Sequence, residues 1–155
     1  KLWGALVFEI RNLARATTSL IGDRAEQRAL LMEALAFCHL LRGQLRRIDS
    51  KDDARAFIGD EVDKAAARTN PADDMVRRMG RRAKARREAG ALDPIGFRIL
   101  DERLAAIAAI QAGCERIAGT PLPFAYTLLV HRTAYVVCLL LPIGLISTTG
   151  WATPL

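Results

Sequence analysis

The feature that most constrains this chain lies at its C-terminal end. Residues 133–155 contain no Asp, Glu, Lys or Arg, while every charged side chain of the 155-residue sequence lies at or before Arg132. The last helix of a soluble domain ordinarily needs a polar face. Residues 124–146 are apolar apart from Tyr126, Thr127, His131, Arg132 and Thr133, and about 20 mostly apolar residues suffice to cross a hydrocarbon core of about 30 Å. An Arg at the bilayer centre costs roughly 2.5–3.5 kcal/mol on insertion scales, more than several Leu or Val residues return. The expected transmembrane helix therefore begins after His131 and Arg132 and covers 133–151. As a helix, 134–151 is about 27 Å long. Arg132 then marks the membrane interface, and Tyr135 and Trp151 fall near the two ends, where interfacial aromatics sit. Pro142 and Gly144 are compatible with a span. The competing reading is the core helix of a soluble protein, for which the uninterrupted run 134–146 is short enough.

Charge sets the orientation. All 23 Lys and Arg precede the expected span, which places residues 1–132 in the cytosol and the chain in the inner membrane, with Arg132 as the most direct evidence. A net charge of +6 on a soluble domain would instead point to nucleic acid or an acidic partner. Lys1 opens directly into an amphipathic pattern, and the sequence stops just after an apolar run, so both ends are expected to be truncations. Glu9, Arg11 and Arg15 interrupt residues 1–21, which do not read as a signal peptide.

Upstream of the span the periodicity is helical throughout, and the fold class is all-α: a cytosolic helical region over 1–120, a Pro-containing kink and pre-membrane helix over 121–132, and one transmembrane helix. The cytosolic helices are expected at 1–21, 24–47, 72–89 and 94–118. In the first, Trp3, Leu6, Ile10, Leu13, Thr17 and Leu20 recur at three and four residues. Asp23 reads as an N-cap, with Glu26 at the capping-box position. The second carries Leu31, Leu35, Cys38, Leu41 and Leu45 on one face. Asp52 or Asp53 is expected to cap a short helix through Phe57 and Ile58. Asn70-Pro71 and Asp93-Pro94 are helix starts. Met75, Val76 and Met79 form the apolar side of the third helix, which Gly90 stops. Leu100, Leu104, Ile107, Cys114 and Ile117 form the stripe of the fourth. The break at 119–123 holds two prolines in three residues, which removes two backbone donors.

No catalytic constellation emerges, and no enzyme is expected. Cys38, Cys114 and Cys138 are far apart and odd in number, which fits a reducing compartment. His39 and His131 are too isolated for a zinc site. Cys38 and His39 are sequence neighbours, about 100° apart around a helix, and cannot form a nucleophile–base pair. The Asp52-Asp53 and Asp73-Asp74 pairs read as helix-start residues. No Gly-rich phosphate loop, metal or cofactor is assigned. Arg77, Arg78, Arg81, Arg82, Lys84, Arg86 and Arg87 make one helix face strongly basic. Three readings stand: a phosphate-binding surface, without the interleaved aromatics of a single-strand binder; a face near anionic lipid; and a solvated face balanced by acidic residues of neighbouring subunits, which is favoured.

The string Cys114-Glu115-Arg116-Ile117-Ala118-Gly119-Thr120-Pro121-Leu122-Pro123-Phe124-Ala125-Tyr126-Thr127-Leu128-Leu129-Val130-His131-Arg132-Thr133 resembles bacterial members of the bestrophin family, as does the opening Lys1-Leu2-Trp3-Gly4 with Arg11-Asn12-Leu13-Ala14-Arg15. The likeness is loose between about residues 48 and 90. The resemblance implies a homopentameric channel that passes small inorganic ions, chloride in animal relatives and sodium in some bacterial ones. It implies that the chain begins just after the family's second membrane helix, so the upper constriction would precede Lys1. The lower constriction, an aliphatic residue just before a proline, corresponds to Leu122, with Pro121 and Pro123 shaping the kink; Leu stands where relatives often carry Ile. The calcium-binding segment of animal relatives would lie partly beyond Leu155. Independently, five copies of a Pro-rigidified kink aiming Leu122 inward would make an apolar ring, and such rings gate by dewetting. Glu115 and Arg116 flank this segment, to line the vestibule or pair across a subunit interface, and a structural role is favoured. The expected partners are further copies of the chain, the lipid bilayer and inorganic ions, without nucleic acid. The alternative function is a soluble basic helical module that binds nucleic acid or anionic lipid.

Overall fold

A computed structural model of the chain describes residues 1–120 and 124–149, the side chains of 143 and 146–149 aside. It is all-α: α1 (Leu2–Leu20), α2 (Arg24–Arg46), α3 (Lys51–Ile58), α4 (Glu61–Ala66), α5 (Pro71–Glu88), α6 (Pro94–Gly119) and α7 (Phe124–Thr149). The described residues contain no strand. The chain divides into two units, Lys1–Ala118 and Gly119–Leu155.

In the first unit α2 is the hub, packed on α1, α3 and α5. Its buried residues are Leu30, Glu33, Ala34, Ala36, Phe37, Leu40, Leu41 and Gly43. This differs from the expected stripe: Leu35 is exposed, and Leu31 and Cys38 are half-buried. The physical reason is that neighbours on several sides set the buried sector, and the small Ala34 and Ala36 admit them where a row of leucines would hold them off. In α1, Leu6, Leu13 and Thr17 are buried while Trp3 at the end of the stripe is exposed. Met75 and Met79 of α5 reach the core, with Val76 packed against it.

Side-chain caps fix three of the helix starts. Asp23 accepts the Ala25 N–H at 2.9 Å, Asn70 the Asp73 N–H at 3.1 Å, and Asp93 the Gly96 N–H at 3.1 Å. Pro71 follows its cap directly, where a missing donor costs nothing. The expected cap of α3 is corrected: Ser50 occupies the N-cap position, and Asp52 and Asp53 lie in the first turn. There their charge opposes the unpaired N–H groups, while Asp49 accepts the Lys51 N–H at 2.9 Å. Ser50 sits there because Gly43 lets α2 approach it. A Cβ on Gly43 would fall on Ser50 Oγ, within 2.7 Å of Ser50 Cβ and 2.9 Å of the Ile48 carbonyl oxygen. The six-residue α4 was not anticipated; it buries Val62 and Ala65.

α6 lies antiparallel along α1. A Cβ on Gly96 would meet Leu20 at 3.6 Å, one on Gly113 would meet Leu2 at 3.3 Å, and between them Arg103 donates to Glu9 at 3.2 Å. Its buried face is Gly96, Leu100, Leu104, Ile107 and Gln111. The expected stripe ended differently, on Cys114 and Ile117. Cys114 is half-buried and Ile117 exposed, because the face that reaches the bundle turns polar at Gln111.

The second unit contains α7, a continuous helix from Phe124 across the expected division at 132/133, with Pro142 inside it. Its stretch Phe124–Pro142 is long and apolar enough to cross a membrane, and no part of it is buried.

Candidate functional site

The residues singled out from the sequence fall in two groups. Pro121, Leu122, Pro123 and Trp151 lie outside the described residues. Arg132 and Tyr135 stand on α7, both exposed, with Tyr135 among the most open of its apolar side chains. His131 Nδ1 lies 2.8 Å from the Thr127 carbonyl oxygen one turn back, so its ring is held to its own helix.

Toward the end of α6, Glu115 is the centre of a polar cluster. Its Oε1 accepts from Gln44 Nε2 of α2 at 3.0 Å, from Asn70 Nδ2 at the cap of α5 at 2.8 Å, and from Gln111 Nε2 at 2.8 Å. Gln111, almost fully buried, also donates to Asn70 Oδ1 at 3.3 Å. The sequence reading named Glu115 and missed the other three. The available signal was the four-residue spacing of Gln111 and Glu115, which puts both on one helix face.

The basic face of α5 is neutralised largely by the chain's own carboxylates, which corrects the expectation that neighbouring subunits supply them. Arg82 donates to Glu33 at 2.9 and 3.3 Å and to Glu26 at 3.0 Å. Arg86 pairs with the other oxygen of Glu26, Arg78 with Glu61 at 3.0 Å, and Arg77 with Asp74 on its own helix. The physical reason is that α2 lies against α5, and Glu26 and Glu33, two turns apart on α2, meet the arginines at the same pitch. Glu33 is 4% exposed. A buried carboxylate demands such pairing, and its hydrogen bond holds the Arg82 guanidinium above its ordinary range, with Glu26 adding to the effect. The groove at this seam, about 410 Å³, is lined by Glu26, Glu33, Glu61, Arg78, Arg81 and Arg82 among others. Arg87 spends its charge on an aromatic face, 5.3 Å above the ring of Phe97. The patch is thus a salt-bridge seam more than an open phosphate surface.

His39 stacks on Phe57 at 5.1 Å between ring centroids, with Nδ1 3.9 Å from Asp53, which pairs with Arg42. All three cysteines are free, and burial pushes the Cys38 thiol up to about 11. A buried neutral thiol is a packing group, not a nucleophile.

Residues 1–155 match the family described as "Bacterial/Fungal Bestrophin protein". The voltage-dependent anion channel-forming protein mll4386 of Mesorhizobium japonicum is 83% identical over 155 residues, 100% of this chain and 50% of that protein. The voltage-dependent anion channel-forming protein YneE of Escherichia coli K12 is 38% identical, over 99% of this chain and 51% of its own length. The crystal structure of a bacterial bestrophin homologue from Klebsiella pneumoniae superposes with a TM-score of 0.89 at 34% identity, covering 99% of this chain and 58% of that one. The chain spans about half the length of the curated relatives it matches.

Proposed function

The chain belongs to the bacterial and fungal bestrophin family, and from that premise we propose that it forms part of an inner-membrane ion channel that conducts small inorganic anions and performs no chemistry. The observation that carries the reading is α7: a 26-residue helix whose uncharged, apolar run 133–142 is exposed throughout, in a chain 83% identical to a protein named as forming an anion channel. An apolar helix left open to water would cost about 25 cal/mol for each Å² of its surface; lipid removes that cost. Arg132 and Tyr135 stand at the cytosolic interface, Trp151 near the opposite one, and residues 1–132 face the cytosol.

Five copies surround one pore, and Leu122, held by Pro121 and Pro123, supplies its lower apolar ring. Such a ring gates by dewetting. The alternative, a soluble nucleic-acid module, is disfavoured by the α5 arginines: Arg77, Arg78, Arg82 and Arg86 are already matched to carboxylates, which cancels much of the charge that phosphate binding needs.

The test is the full-length protein in detergent and then in planar bilayers. It elutes as a large oligomer, and in asymmetric chloride its reversal potential follows the anion gradient. A monomer that stays dispersed without detergent, or a bilayer without channel currents, refutes the proposal.

A further inference from the structure

The salt-bridge seam between α2 and α5 leaves two arginines over. Its groove, of about 410 Å³, adjoins a second of about 430 Å³, and the two share Glu33, Glu61, Arg78 and Arg82 as lining. Glu26, Glu33 and Glu61 are the only carboxylates that line them, and they are matched to Arg86, Arg82 and Arg78. Arg81 lines the first groove and Arg28 the second. Both are exposed, and among the described residues neither guanidinium makes an ion pair or a hydrogen bond. The two halves also differ in character. The first is charged, whereas the second is walled by Met32 of α2 with Phe57 and Ile58 at the end of α3, all three half-buried. Ala25 and Ala29 lie on the same face of α2 as Met32, and their small side chains leave that half open.

A purely apolar groove would accept any greasy surface, and a purely cationic one any anion. This one joins an apolar wall to a surplus of two positive charges. Guanidinium groups match the oxygens of carboxylate and phosphate, and a phosphate monoester carries nearly two negative charges at neutral pH. Each half lies within the range of about 300–1,000 Å³ in which small-molecule sites fall. We propose that this groove binds a soluble phosphate monoester with an apolar ring or short chain. Arg81 and Arg28, long side chains on facing helices, hold the head, and Met32, Phe57 and Ile58 carry the apolar body. Every residue involved belongs to the first unit, and none takes part in the channel reading above. A ligand seated there touches α2, the end of α3 and α5 at once, so it binds only the folded bundle and stabilises it.

The experiment is equilibrium dialysis of 1-naphthyl phosphate against the full-length protein in nanodiscs of phosphatidylcholine, a lipid without a monoester head, with empty nanodiscs as the blank for partitioning. The expected result is one saturable site per chain. Inorganic phosphate competes about tenfold more weakly, the factor that covering about 60 Å² of the ring is worth. Arg81→Gln and Arg28→Gln leave the matched pairs of the seam in place, and each weakens binding by at least about fivefold. Met32→Gln weakens naphthyl phosphate and leaves inorganic phosphate unchanged. Lys84→Gln is the control: it removes an α5 charge that pairs with Glu88 outside the groove, and binding stays at the wild-type value. No saturable uptake above the blank overturns the proposal, as does wild-type affinity in both Arg81→Gln and Arg28→Gln. Equal affinity for the two phosphates removes the apolar half of the site, whether or not Met32→Gln folds. A loss in Lys84→Gln as large as that in Arg81→Gln reduces the binding to diffuse attraction by a basic chain and overturns the site.

Discussion

Replacing Arg82 by Met tests whether the α2–α5 seam is held by charge or by packing. The substitution keeps an unbranched apolar stem and removes the two hydrogen bonds to Glu33, at 2.9 and 3.3 Å, and the one to Glu26, at 3.0 Å. Leaving one member of a buried ion pair without its partner typically costs 3–5 kcal/mol. Here the loss is smaller for two reasons. Arg78 Nε remains 3.8 Å from Glu33 and Arg86 still holds Glu26. Moreover, the Arg82 side chain is 30% exposed, so water screens part of the interaction. About 2–3 kcal/mol remains, mostly the stranded Glu33 carboxylate, whose side chain is 5% exposed. Measured by hydrogen exchange on the full-length protein in detergent, this appears as roughly 30- to 150-fold faster exchange of the core amides of α2 and α5. The double variant Glu33→Met with Arg82→Met lacks the stranded charge and should return to within about 1 kcal/mol of wild type. A single variant that exchanges like wild type, or a double variant no better than the single, would refute the reasoning.

Gly43→Ala should destabilise the first unit by about 2–3 kcal/mol, seen as a lowered Tm, because its Cβ meets the Ser50 side chain and the Ile48 backbone at once. Cys38, pushed up to about 11 by burial, should be alkylated at pH 8 about 100-fold more slowly than an ordinary thiol, with the rate restored on unfolding; equal rates in native and unfolded protein would contradict it. Glu61 is held below its ordinary 4.5 by its hydrogen bond to Lys64 and then by Arg78. Its folded pKa is lowered, so its stabilisation is present in full above 4.5 and is lost as pH falls through the lowered value. Exchange at α4 amides, corrected for intrinsic rate, should rise below pH 4.5 in wild type and show no such step in Glu61→Gln.

What the sequence made legible was local. Asp23, Asn70 and Asp93 mark helix starts because a capping side chain acts on N–H groups two or three residues away, within any reading window. The all-α class follows from the same local periodicity. α4 escaped because six residues give fewer than two turns of pattern, and the side chain of Asp60 makes no cap bond, the backbone carbonyls of Gly59 and Asp60 accepting from Val62 and Asp63 instead. The Leu31–Leu35 face misled because apolarity shows what is able to be buried, whereas the neighbours of α2 decide what is. The neutralisation of α5 was beyond local reach: Arg82 meets Glu33 and Glu26 across 49 and 56 residues of chain. Of the candidate site, the Pro-flanked Leu122 and the exposed Arg132 and Tyr135 of α7 were visible as residue types. The amide ring around Glu115 was not, because Gln44 and Asn70 are ordinary surface residues until the fold brings them together.

The paired arginines of α5 also determine what an ion at a distance would sense. A cation matched to an anion about 3 Å away is, from afar, a dipole, and its potential decays faster than that of a lone charge, before salt damps it further over about 8 Å. The four matched arginines, Arg77, Arg78, Arg82 and Arg86, therefore contribute little to the long-range field of the chain. The chain's surplus of +6 makes itself felt through the cations that lack such a match, and it is there that charge reversal would change the distant field most.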